Sequence, residues 1–188
     1  MPFKHLAVLA ILLLLQGCAA AVVAGTAGAV SAANDRRTIG SQIDDNNIEI
    51  KATLALKKVP TLSDKANISV VSVNGTILLV GQVPSRDLLS QAEQAVRNSV
   101  SVKNIHNQLR IGTRIGITTQ THDTWLTSKV KTKLLTAETI TGNNIKVVTE
   151  NGEVFLMGLV SETEADMAVE IARHVNGVKR VVKAFEYL

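Results

Sequence analysis

The chain is written twice from about residue 44 onward, and this repeat constrains the fold more than any other feature. Asn74-Gly75 recurs as Asn151-Gly152. Thr76-Ile-Leu-Leu-Val-Gly81 recurs as Glu153-Val-Phe-Leu-Met-Gly158, and Val102-Lys103 as Val178-Lys179. The offset drifts from 78 to 76 along the copy, so two one-residue gaps align the halves. The first copy covers 44–111 and the second 122–188.

Each copy reads as helix, strand, strand, helix, strand. Ile48, Ala52 and Leu56 recur every fourth residue, as do Leu126, Val130 and Leu134, which sets one apolar stripe on an opening helix. Asn-Gly between two β-rich runs is the signature of a type I′ hairpin, whose two turn residues both need φ > 0. A second helix is predicted near 85–98 and 162–175, with Ser85 and Ser161 as N-caps and Gly177 as a helix stop. The last strand presents Ile105, Leu109 and Ile111 on one face, answered by Val181, Phe185 and Tyr187. The fold class is α+β. Each αββαβ copy is expected to form a three-stranded mixed sheet with both helices on one face. A unit of about 67 residues is only modestly stable alone, so docking of the two copies is expected to help. Residues 112–121 hold two Gly, four Thr and no apolar period, and read as a linker.

The N-terminus gives the address. After Lys4, Leu6 to Leu15 form an apolar run of about ten residues, a signal-peptide core and roughly half a membrane span. It ends at Leu15-Gln16-Gly17-Cys18, where Cys18 is the only cysteine. This resembles the bacterial lipobox. The resemblance implies a signal peptide over 1–17, cleavage before Cys18, and acyl chains on its thiol and new amine. Ala19 in place of Asp implies transfer to the outer membrane. Residues 18–43 then read as an acylated N-terminus and a tether, whose small-residue part could also lie along the bilayer.

Composition bounds the rest. The chain is 46% apolar but only 3% aromatic, so the core must be aliphatic, and no second cysteine offers a disulfide. A net charge of +4 is mild and dispersed, and nucleic acid is not an expected partner. His106, His122 and His174 have no metal-ligand spacing, and no metal or cofactor is expected. There is no nucleophile–base pair and no phosphate loop, so an enzyme is not expected. Asp44-Asp45 and Asp123 stand where helix caps would. Gly81 and Gly158 read as positions of close packing or a bulge.

The opening helices differ. With Leu126, Val130 and Leu134 turned inward, the only tryptophan, Trp125, shares a face with Lys129, Thr132 and Lys133. The first copy has Asn47 and Ala55 at the positions of Trp125 and Lys133, and keeps only Lys51 opposite Lys129. An indole among lysines suits a lipid headgroup zone. The same residues also suit packing and a solvated face. The second copy carries eight Lys or Arg and nine Asp or Glu, so attraction to anionic lipid would come from this helix and not from overall charge.

These motifs together carry a family resemblance. Each copy resembles a BON domain in its Asp-x-x-apolar opening helix, its Asn-Gly hairpin, Gly81 or Gly158, and its closing Val-Lys strand. Behind its lipobox the whole chain resembles the dual-BON outer-membrane lipoproteins, most closely over Asp123–Val130 and Asn151–Val160. The resemblance implies a periplasm-facing protein that supports envelope integrity. It also implies binding of anionic phospholipid (phosphatidylglycerol or cardiolipin) through the second domain, enrichment at division sites, and a link to the outer-membrane protein assembly complex. The competing expectation is a protein-interaction adaptor acting on that machinery without lipid recognition.

Overall fold

The computed structural model describes residues 35–188. The signal peptide, Cys18 and the small-residue part of the tether lie outside the described residues. The first copy runs α1 (Ile39–Lys57), α2 (Pro60–Lys65), β1 (Asn67–Val73), β2 (Thr76–Val83), α3 (Arg86–Ser99) and β3 (Asn104–Ile111). The second runs α4 (Ile117–Thr136), a 3-10 turn (Gly142–Asn144), β4 (Ile145–Glu150), β5 (Glu153–Val160), α5 (Glu162–Arg173) and β6 (Arg180–Tyr187). In both sheets the second strand is central, antiparallel to its hairpin partner and parallel to the last strand. Each copy is the expected mixed αββαβ unit, with α2 as an addition in the first.

Local chemistry accounts for the elements. Asn74 and Asn151 have φ of 51°, and Gly75 and Gly152 of 77°, as the hairpin requires. Ser85 Oγ accepts from the Leu88 amide, and Ser161 with Glu164 forms a complete capping box. Gly81 and Gly158 also have positive φ, and a Cβ there would fall 1.9 Å from the Asn67 carbonyl oxygen and 2.1 Å from that of Asn144. Only glycine lets the neighbouring strand approach so closely.

Several boundaries differ from expectation. The opening helices start at Ile39 and Ile117, so 39–43 is not tether and 117–121 is not linker. Thr38 caps the first, accepting from the Ser41 amide at 3.0 Å. In the second, Thr121 and Thr124 donate their hydroxyls to the Ile117 and Gln120 carbonyls at 2.9 Å, so these side chains satisfy themselves within the helix instead of interrupting it. The rest of the connection is pinned by Arg114, which donates to the Ala66 and Ser63 carbonyls. Gly177 has φ of 106° but lies beyond the end of α5 at Arg173, so it turns the chain and is not the cap. Ile111 and Tyr187 share the face of Ile105 and Leu109 and of Val181 and Phe185, but at the strand ends they run past the core and are about half exposed.

The aspartates are not caps. Asp45 lies within α1 and Asp123 within α4, and both are buried. Asp123 accepts from the Asn151 and Gly152 amides at 2.6 and 2.8 Å. Asp45 accepts likewise from Asn74 and Gly75, and also from the Ser72 hydroxyl. Each carboxylate staples an opening helix to its hairpin turn.

Alternate residues of the central strands face different cores. Ile77, Leu79 and Val83 face α1 and α3, and Val154, Leu156 and Val160 face α4 and α5. Leu78 and Val80 on the opposite side meet Phe155, Met157 and Ala184 in a third core shared by the two sheets. The result is four layers, with helices outside and two separate sheets face to face within. Polar contacts rim the shared core: Arg110 to Glu153, Lys103 to Glu186, Lys146 to Glu49 and Gln82 to Glu150.

Candidate membrane-facing site

The site sits on the outward side of α4. Leu126, Val130 and Leu134 are fully buried and fix the helix rotation. That rotation leaves Trp125 53% exposed, with Thr132 and Lys133 exposed two turns further along. The Lys129 ammonium lies 4.1 Å from the indole centroid, a cation–π contact, and donates to the Asn176 carbonyl at 3.3 Å. Trp125 and Lys129 are therefore in contact. Thr132 and Lys133 share the face without touching them, and the Lys133 ammonium makes no hydrogen bond or ion pair among the described residues. Lys131 is turned elsewhere and donates to the Gly142 and Ile145 carbonyls.

Sequence reasoning missed three contributors. His122, expected to be an unremarkable surface histidine, lies with its ring centroid 5.8 Å from that of Trp125. Its spacing of three residues was the available signal. Ile117 and Leu135 are also exposed on α4 and widen the apolar surface. The only acid on the helix is Asp123, turned inward to the hairpin, so the helix itself presents no carboxylate to an anion approaching this face. The hydroxyls of Thr121, Thr124, Ser128 and Thr136 donate to carbonyls of the preceding turn. Donors already satisfied within the helix lower the cost of taking this surface out of water.

The matching place in the first copy is different. Asp44, Asn47 and Lys51 stand where His122, Trp125 and Lys129 stand, and with Ser99, Ser101 and Lys103 they line an open polar groove of about 540 Å³. Among the described residues no cluster of His, Cys, Asp and Glu could hold a metal ion, and no helix is long and apolar enough to cross a membrane.

Comparison with known proteins fits this duplicated architecture. The BON domain model matches residues 44–113 and 122–188. The chain belongs to the BON family. Its two BON repeats are accompanied by full-length similarity to the outer membrane lipoprotein DolP of Haemophilus influenzae, at 39% identity over 100% of this chain and 97% of that one. This BON protein is also 39% identical to the 21 kDa hemolysin of Actinobacillus pleuropneumoniae over 82% of this chain and 79% of that protein. It is 32% identical to osmotically-inducible protein Y of Escherichia coli over 76% of this chain and 72% of that protein. It is a lipid-anchored lipoprotein of the outer membrane.

Proposed function

We propose that the protein binds anionic phospholipid through α4 of its second BON domain while acyl chains on Cys18 hold it, facing the periplasm, on the outer membrane. The observation that carries this reading is the exposed Trp125, with Lys129 against its ring and Lys133 on the same face of a helix that shows no outward carboxylate. An indole enters the headgroup zone with its N–H satisfied, and each lysine near an anionic surface adds ~1 kcal/mol. The activity is recognition and not catalysis. The role is support of envelope integrity, and the resemblance to dual-BON lipoproteins favours enrichment at division sites and a link to outer-membrane protein assembly.

The test is binding of the acyl-free protein to vesicles with and without phosphatidylglycerol or cardiolipin. Trp125→Ala is expected to weaken binding to anionic vesicles ~10-fold, a loss of ~1.4 kcal/mol. Lys129→Glu with Lys133→Glu is expected to weaken it further, and wild-type binding is expected to fall with salt. Lys51→Glu, on the helix without an indole, is the control and should change little. If folded Trp125→Ala binds anionic vesicles as wild type does, α4 is a packing element and the adaptor reading replaces this one.

A further inference from the structure

Helix α1 is apolar on two opposite sides, and the core uses only one of them. Ile48, Ala52 and Leu56 point inward. At about 100° per residue, Ile39, Ile43, Ile50 and Leu54 fall within about 60° of arc on the other side. All four are more than half exposed, from 52% to 69%. Singly exposed aliphatics are ordinary, but a row of four along one helix marks a contact surface.

The spacing of the row identifies its occupant. The pattern reads the same from either end. Ile39 and Leu54 are equidistant from its midpoint, as are Ile43 and Ile50, and the midpoint falls between Asn46 and Asn47. Such a surface is complementary to itself under a two-fold rotation, the requirement for an isologous dimer. We infer that α1 pairs antiparallel with α1 of a second copy of this chain, Ile39 packing near the partner's Leu54 and Ile43 near the partner's Ile50.

The polar residues fit the same two-fold. Asn46 and Asn47 are exposed, flank the seam at its centre, and each meets its own counterpart, where side-chain amides can donate and accept reciprocally. A central amide pair in an apolar seam also fixes register. Asp44 and Lys51 are exposed on one shoulder of the stripe, and their side chains have no hydrogen bond or ion pair among the described residues. Antiparallel pairing brings Asp44 within about half a turn of the partner's Lys51, and symmetry makes that contact twice. Unlike α4, this face has no aromatic residue to seat at a headgroup. It also lies in the outer layer on the far side of the sheet pair from α4. One helix face falls short of the ~800 Å² per partner of a standard interface, so the pair is weak in free solution. Anchoring both copies in one membrane raises their effective concentration and compensates.

Single cysteines in the full-length lipoprotein, oxidised in the membrane, test the geometry. Asn46→Cys and Asn47→Cys lie at the two-fold and should each form disulfide-linked dimers. Ile39→Cys and Leu54→Cys each lie more than ~20 Å from their own counterpart and should not, yet when co-expressed they should cross-link to each other. Wild type, with Cys18 alone, is the blank. Ile43→Glu with Ile50→Glu, both on the outer surface, should reduce the Asn47→Cys cross-link at least ~10-fold at an unchanged melting temperature. Absence of dimer at both Asn46→Cys and Asn47→Cys in folded protein overturns the pairing, as does equally strong self-linking at position 39 or 54. If the double glutamate variant keeps its cross-link but loses vesicle binding, the stripe belongs to the bilayer and the dimer is refuted. None of these outcomes depends on Trp125, so the phospholipid reading stands or falls separately.

Discussion

Asp45 and Asp123 look like helix caps in the sequence because each precedes an apolar stripe. In the structure they sit within helices and accept the amides of the Asn-Gly turns. The type I′ conformation leaves the two turn amides unpaired in a place with little water, and a buried carboxylate satisfies both at once. Charged hydrogen bonds are worth more than neutral ones, and a buried donor left unpaired costs ~1–3 kcal/mol. Asp123→Ala is therefore expected to destabilise by ~3 kcal/mol, read as a lower urea midpoint with an unchanged slope. Asp123→Asn keeps one acceptor oxygen and should lose about half as much. The partnership spans 28 residues in one copy and 29 in the other, so no local pattern reveals it, although the repeat of aspartate and Asn-Gly together could have. Gly158 was legible. Its place at the strand end implied close approach, and the Asn144 carbonyl lies where a Cβ would be. Gly158→Ala must move backbone and break the β4–β5 register, so little folded protein is expected on expression, whereas Gly112→Ala, with open space around it, should express normally.

At the scale of elements, apolar periodicity located the four long helices and six strands, because burial on one face is a local property of sequence. Their ends were less legible. The first opening helix begins at Ile39, held by a strap that composition could not show. Arg36 donates to both carboxylate oxygens of Glu164 at 2.7 and 2.8 Å, and its amide donates to Asn144 Oδ1. Arg37 pairs with Asp45 at 3.0 Å. Two consecutive arginines thus fasten the start of α1 to both copies. The Arg36 guanidinium, with the Ser161 amide, holds the Glu164 carboxyl down to about 2. A depressed carboxylate contributes stability above its unfolded value of ~4.3 and loses it as pH falls toward the folded one. Arg36 is about one-third exposed, so screening limits the pair to ~1 kcal/mol. Arg36→Ala is expected to unfold more easily than wild type at pH 7 by that amount. The gap should close between about pH 4 and pH 2 in paired urea titrations, and a gap that persists at pH 2 would assign the strap to packing instead of charge.

The whole molecule depends on something the repeat only hinted at. Each copy was legible as a sheet with helices on one face, which leaves the other face of each sheet open. The runs Ile77-Leu-Leu-Val80 and Val154-Phe-Leu-Met157 answer this, because they lack the alternation of a half-solvated strand. Both sides of β2 are buried, and Leu78 and Val80 cover Phe155 and Met157. Neither sheet is thus a finished surface by itself. This predicts one cooperative unfolding unit and not two. In calorimetry the wild type should show a single transition whose calorimetric and van't Hoff enthalpies agree. Phe155→Ala removes the largest side chain of the shared core and should cost ~3–5 kcal/mol while leaving both helix-facing cores intact. Leu78→Asp goes further, since it places a carboxylate against Phe155 and Met157 with no cation among the buried residues of that core. That variant should separate the thermogram into two smaller transitions, one for each copy. A single transition at nearly the wild-type temperature would mean that the sheet pair accommodates the carboxylate and that the shared core contributes little to stability. Leu78→Asp should then leave the vesicle binding proposed for α4 intact. If instead docking of the sheets supports the second copy, the same substitution should weaken binding from the far side of the second sheet, without touching Trp125.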